Sequence, residues 1–265
     1  MTNPTNAQAL FLKQQKKHVR IIRIARILIL VIFFSLWEIA SYLEWIDPFI
    51  FSSPTRVVRC FFRMLLEQQL LYHISITIME TFISFALVLL LTLLITTSLW
   101  LSEKVSKTME PYLVVLNSLP KSALAPLLIV WLGANYKTII LTGMSVAIFG
   151  SILNLYTAFM GMDPEKIKLV KTLGGNKKDI LFKVMIPGNI PSLLSIMKVN
   201  IGLCLVGVII GEFIAAKVGL GYLIIYGSQV FKLDWVIMSI IILCIIAMGL
   251  YQLINWLEKW YLRKI

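Results

Sequence analysis

The sequence predicts an all-α integral membrane protein of about six transmembrane helices, with a pair of short basic helices on the cytoplasmic side and an amphipathic helix on the outer side. Three observations carry this. Of 265 residues, 59% are hydrophobic and 14% charged, and the mean hydropathy is +0.87, whereas a soluble domain carries about a quarter charged residues. The apolar residues come in runs near the ~20 needed to cross the hydrocarbon core. The net charge of +12 gathers at four places between or beyond those runs, as cytoplasmic segments would.

Residues 1–26 form a basic tail holding Lys13, Lys16, Lys17, Arg20, Arg23 and Arg26. A secretory signal also pairs a basic start with an apolar run. Here the run continues from Ile27 to about Ile46 and further spans follow, so an uncleaved first transmembrane helix is expected. Ser52-Ser53-Pro54-Thr55 then opens a stretch from Arg56 to Gln69 with apolar residues at Val57, Val58, Phe61, Phe62 and Leu65. That pattern predicts an amphipathic helix along the outer surface. Further spans are expected at Ile74–Leu101, Pro111–Leu132, Thr138–Met160, Ile190–Ile214 and Val236–Trp256, the third interrupted by Pro111, Pro120 and Pro126. Val218–Ile225 is apolar but too short to cross, which suggests a re-entrant or interfacial segment. Six crossings from a cytoplasmic N-terminus put Lys104 and Lys107, the loop 161–187 and the C-terminal residues 261–265 inside, with residues 27–260 as one transmembrane domain.

The segment Asp163–Pro187 carries the most local information. Asp163 is placed to N-cap a helix beginning at Pro164, with Glu165 near its positive end. Gly174-Gly175 ends that helix, because glycine tolerates the left-handed backbone that a C-cap needs. Asn176 is placed to cap a second helix, with Asp179 as the acid of a capping box and Pro187 near the end. Ile167, Val170 and Leu173 share one face, and Ile180, Leu181 and Val184 another. Apolar ridges flanked by lysines predict a docking element for a soluble partner.

Enzyme signatures are absent: no H-E-x-x-H, no G-x-S-x-G and no nucleotide loop. Cys60, Cys204 and Cys244 have no metal or redox spacing and read as buried hydrophobes, and no metal site is expected. His18 and His73 have no neighbour at ligand spacing. No basic patch is interleaved with aromatics, so nucleic-acid binding is not expected. Charges within the spans are Glu38, Glu80, Lys121, Lys198 and Glu212, and intramembrane ionisable residues are functional candidates. Pro120, Lys121 and Pro126 lie where freed backbone groups can line a pathway, or where a helix is merely kinked. Glu212 follows Gly207 and Gly211, whose spacing permits close helix packing, and it is a candidate for a subunit seam or outer gate.

These residues resemble a known family, the transmembrane permease subunits of bacterial ABC importers of the nitrate/sulfonate/taurine type. The wider family's cytoplasmic loop reads Glu-Ala-Ala, three residues, Gly, nine residues, Ile-x-Leu-Pro. Here Lys168-Leu169-Val170 is followed by Gly174 and then Val184-Met185-Ile186-Pro187, with lysine in place of the acid. LPKSALAPLLIVWLG (119–133), which includes Trp131, LWEIASYLEWIDPFIFSSPTRV (36–57) and GVIIGEFIAAKVGLGYLI (207–224) are similar to further stretches of that branch. The resemblance implies that Lys168, Leu169, Val170, Lys171, Leu173, Gly174, Gly175, Val184, Ile186 and Pro187 belong to coupling helices that dock on an ATPase. It also implies two ATPase subunits holding ATP and Mg, a second permease copy, an extracytoplasmic solute-binding protein, and no cofactor on this chain. The expected place is the bacterial inner membrane, with both termini cytoplasmic. The same architecture also imports thiamine-precursor pyrimidines or riboflavin. A secondary carrier would show paired internal repeats, and a membrane enzyme would show polar residues clustered at one depth; neither pattern is found.

Overall fold

The structure, a computed structural model, describes residues 6–67 and 70–263. The start of the basic tail, Gln69 and Lys264 lie outside the described residues, as do the side chains of Lys13 and Lys16. The chain divides into an N-terminal unit up to Phe62 and a C-terminal unit from Arg63.

In the N-terminal unit α1 spans Asn6–Tyr42 as one helix, so the basic stretch and the apolar run from Ile27 share a single element. The helix ends short of Ile46, in a turn where Glu44 takes a left-handed φ of 55°. Asp47 caps the short α2 (Pro48–Phe51) by accepting from the Phe49 N–H at 2.8 Å. The amphipathic helix α3 (Pro54–Glu67) begins at the expected Ser-Pro junction. Its first turn is held by Glu38, whose carboxylate accepts from the Thr55 N–H at 3.0 Å. Glu38 therefore caps a helix, and the contact places negative charge at the positive end of α3. Hydrogen bonding by Thr55 also explains why an acid is kept on an otherwise apolar stretch.

The C-terminal unit is built from α4 (Leu70–Leu101), α5 (Glu103–Ser118), α6 (Lys121–Leu132), α7 (Tyr136–Met160), the short α8 (Pro164–Thr172), α9 (Lys177–Ile180) and α10 (Ile186–Gly188), then α11 (Ile190–Ala215), α12 (Leu220–Gln229) and α13 (Leu233–Leu262). Among the described residues α4, α7, α11 and α13 are long and apolar enough to cross a membrane, and the bent pair α5–α6 makes a fifth candidate. The third expected span is thus two helices meeting at 97°. Pro111 and Pro126 sit inside helices, and the break falls at Leu119-Pro120, where Leu119 is extended (φ −63°, ψ 143°). Proline clashes with a helical residue before it, which explains why the chain turns there. The short apolar segment before α13 is helix α12, packed on α4, α11 and α13.

The centre of this unit is the meeting of α4, α7 and α11. The buried face of α4 is a stripe of small polar residues, Thr77, Thr81, Ser84, Thr92 and Thr96, broken by Val88. The Ser84 hydroxyl donates to Ile140 O across to α7 at 3.0 Å. Lipid tails are as apolar as leucine, so close packing and hydrogen bonds must supply the association. Gly143 and Gly207 make it possible: a Cβ on Gly207 would lie 2.8 Å from the Gly143 Cα and 2.9 Å from Thr142 O. Gly211 meets Ile139 on the same side. Packing by Gly207 and Gly211 is therefore directed at α7 of the same chain. Glycine costs helix stability in the interior, and here the backbone contact offsets it.

Gly143→Ala places a methyl 2.7 Å from Ser84 Oγ and 2.9 Å from Val208, whereas a methyl at Gly202 meets nothing within 4 Å. Gly143→Ala is expected to lower stability by about 1–3 kcal/mol, read as an earlier thermal midpoint in detergent. Gly202→Ala should leave the midpoint unchanged or raise it. Equal midpoints for the two variants would contradict the packing.

Candidate functional site

The short helix pair is built as its local sequence demands. The Asp163 side chain accepts from the Glu165 N–H at 2.9 Å with Pro164 at the first helical position. Gly174 has φ +81° just past the end of α8, and the Gly175 N–H returns to Val170 O at 2.9 Å. Asn176 accepts from Lys178 and Asp179 N–H groups while Asp179 accepts from the Asn176 N–H, a complete capping box. The Lys183 ammonium, 2.9 Å from Asp179, holds that carboxyl below its usual range, and the Asn176 N–H adds to the effect. The second helix does not stop at Pro187. A π-type turn over Leu181–Met185 widens it, so that the Ile186 N–H reaches Leu181 O and Pro187, which has no N–H, is carried into α10.

The apolar residues of the pair divide between two directions. Ile180, Leu181 and Met185 are buried with Leu155 and Phe159 of α7 and Ile196 of α11, and Ile167, Val170, Val184 and Ile186 pack on that cluster. The expected ridges Ile167–Val170–Leu173 and Ile180–Leu181–Val184 are thus mostly turned inward, because the loop must be anchored before it can present anything. Exposed on the pair are Leu169 (61%), Leu173 (78%) and Phe182 (66%). Leu169 and Leu173, four residues apart on α8, share a face. Phe182 was not among the expected residues; its one signal is an aromatic beside lysines in a capped helix. Lys168, Lys171 and Pro187 are exposed as well. Lys177 Nζ donates to Leu101 O, the last carbonyl of α4, at 3.3 Å, where a cation suits the helix dipole.

Glu212 is 0% exposed, and its carboxyl is taken up within the chain. It holds the start of α12. Helix ends leave N–H groups without partners, and a buried end needs side chains to take them. The Gly219 N–H donates to His73 Nδ1 at 3.0 Å and the Leu220 N–H to Thr77 Oγ1 at 2.8 Å. The Gly221 N–H donates to Glu212 Oε2 at 2.5 Å. The Thr77 hydroxyl in turn donates to Glu212 Oε1 at 2.6 Å. Glu80, buried one turn further along α4, lies beside Glu212. Gly219 has φ +118°, and a Cβ there or on Gly221 would run into the Glu212 side chain. The Gly-Leu-Gly sequence is thereby explained by close approach to one carboxyl.

Pro120 and Pro126 are exposed, Lys121 is half-buried, and Trp131 is 69% exposed on α6. Pro120 is the N-cap residue of α6, its carbonyl accepting from the Ala123 N–H at 2.9 Å. Lys198 is tied to Glu258 of α13 at 2.7 Å, both side chains largely buried. No three His, Cys, Asp or Glu side chains converge on a metal-sized site among the described residues.

Residues 89–265 match the family model described as binding-protein-dependent transport system inner membrane component. The chain is 27% identical over 232 residues to a probable ABC transporter permease protein of Haemophilus influenzae, covering 87% of this chain and 94% of that one. It is 24% identical to the putative aliphatic sulfonates transport permease protein of Bacillus subtilis over 96% of this chain and 92% of the relative. Its fold is shared with a chain of a bacterial ABC transporter involved in the import of the acidic polysaccharide alginate, with TM-score 0.64, 14% identity and coverage of 94% and 98%.

The α12 anchor yields a test. Thr77→Val keeps the shape but removes the acceptor for Leu220 and the donor to Glu212, costing about 1–3 kcal/mol per orphaned group. Backbone amide exchange at Leu220–Tyr222 is expected to accelerate at least several-fold, and Thr77→Ser to restore protection. Unchanged exchange in Thr77→Val would refute the anchor.

Proposed function

The chain belongs to the binding-protein-dependent transport system inner membrane component family, and from that premise we propose that it is the permease subunit of an ATP-driven importer for a small sulfonate-type solute. In this reading two copies form the pathway, and two separate ATPase subunits hold ATP and Mg. An extracytoplasmic solute-binding protein delivers the cargo, and both termini and the short helix pair face the cytoplasm. The observation that carries the reading is the two-sided construction of the pair. Its inner side chains are embedded in α7 and α11, while Leu169, Leu173 and Phe182 stand out beside Lys168 and Lys171. Exposed aromatic and aliphatic anchors rimmed by charge are what a partner cleft takes up. A push on such an element moves the helices it is rooted in, so closure of the ATPases on ATP would be felt along α7 and α11, and hydrolysis would reset them. The sulfonate assignment is supported by the near full-length likeness to an aliphatic sulfonates permease.

Affinity purification of the chain from its native membrane should bring down a near-stoichiometric ATPase carrying a nucleotide loop. Phe182→Asp and Leu173→Asp are expected to reduce that recovery at least tenfold, a loss of about 1.4 kcal/mol or more, with membrane insertion unchanged. Gly174→Val, which forces a β-branched residue into φ +81°, should weaken ATPase stimulation through backbone strain of about 1–3 kcal/mol. A chain purified alone and active in liposomes without ATP would overturn the importer reading. Stimulation by a pyrimidine or riboflavin and not by taurine or an alkanesulfonate would overturn the cargo class alone.

A further inference from the structure

Asn154, Thr157 and Ser195 are exposed polar side chains on helices that are otherwise apolar. They border a groove of about 460 Å³ between α7 and α11, whose lining also includes Ser151, Ser192 and Asn200. The Thr157 hydroxyl donates to Leu153 O at 2.9 Å, but Asn154 and Ser195 facing lipid without partners would each be costly, so water, solute or protein must cover them. The groove has depth as well. Counting back from Met160 at 1.5 Å per residue, Asn154 lies ~9 Å and the groove residue Gly150 ~15 Å from the helix end that carries the short helix pair. The groove therefore reaches from that end to about the middle of a ~30 Å hydrocarbon core.

Its chemistry is uniform. No lining residue is charged, and Lys198, which shares α11 with Asn200, is already paired with Glu258. Asn200 is 2% exposed; its Oδ1 accepts from Ser151 at 2.8 Å while its Nδ2 has no partner. Whichever way the amide is turned, one polar end is left over. Behind Gly150, the Asn117 Oδ1 of α5 is likewise buried and unpartnered. Buried polar atoms are nearly always bonded, so orphans beside a groove point to water or a ligand. The volume suits ~15 waters or one small solute.

Resting on the permease reading, we infer that this groove is the subunit's half of a water-filled passage that handles its solute through neutral hydroxyl and amide groups, with no ion pair. The second permease copy supplies the opposite wall. The solute class that fits is small, with hydrogen-bond donors and acceptors, and its charge is carried through without a counter-ion. Weak neutral contacts let a solute leave as easily as it enters, whereas a fixed counter-charge would trap an ion.

The test uses the assembled transporter in opened membranes, with Cys60, Cys204 and Cys244 replaced by serine or alanine. Single cysteines replace Asn154, Thr157 and Ser195, and lipid-side controls replace Leu94 and Met248, which are exposed on α4 and α13. A water-soluble maleimide should label the groove sites at least about tenfold faster than the controls, since hydrocarbon excludes the reagent. Cationic and anionic methanethiosulfonates, normalised to a free thiol, should then react at Ser195→Cys within about threefold of each other, because no fixed charge attracts either. Labelling as slow as the controls overturns the passage. Fast labelling with a more than tenfold sign preference overturns the neutral handling. Neither readout needs ATP hydrolysis or a known solute, so failure here is distinct from failure to recover an ATPase.

Discussion

A buried helix end needs its N–H groups satisfied, and in this protein that need is met by one carboxyl and its neighbours. Glu212 on α11, Thr77 and His73 on α4 together take the first N–H groups of α12. In a membrane those groups have no water to fall back on. The constraint propagates. It demands glycine at 219 and 221, so that backbone can reach the carboxyl. It fixes α4 against α11, and through α12 it sets where α13 starts. Glu80 lies beside this carboxyl from the next turn of α4.

Around that knot, close approach does the rest. Where Gly143, Gly207 and Ser84 meet, α4, α7 and α11 touch almost backbone to backbone. The same α7 and α11 continue to the far end of the unit, where they receive Ile180, Leu181 and Met185 from the short helix pair. The π-type turn lets the second short helix keep its buried face while carrying Pro187 onward into α10. One pair of helices thus links the short helix pair, the polar groove and the α12 anchor. Packed elements of this kind shift as units rather than deform.

The ionisable residues within the spans illustrate how little of their fate depends on type. Glu38 caps α3, Lys198 pairs with Glu258, and Glu212 binds backbone. The polar groove, by contrast, is lined without charge. Those three charges serve structure.

Much was legible from local sequence. The helix class, the long apolar spans and the capped pair follow from periodicity, run length and capping chemistry, which act within a few residues. Asp163, Gly174, Asn176 and Asp179 do what their types and spacing demand. Break placement was less legible, because three prolines offered three candidate breaks and only Pro120 turned the chain. The site was least legible. Glu212 read as a gate because nothing in the sequence says that Thr77, 135 residues away, lies beside it. Likewise Val170, Val184 and Ile186 turn inward while Phe182 turns out. Composition and spacing decide which residues form helices, since those preferences are local. Which side of each helix meets protein, lipid or water is settled only when distant helices pack, because burial belongs to pairs of surfaces and not to single residues.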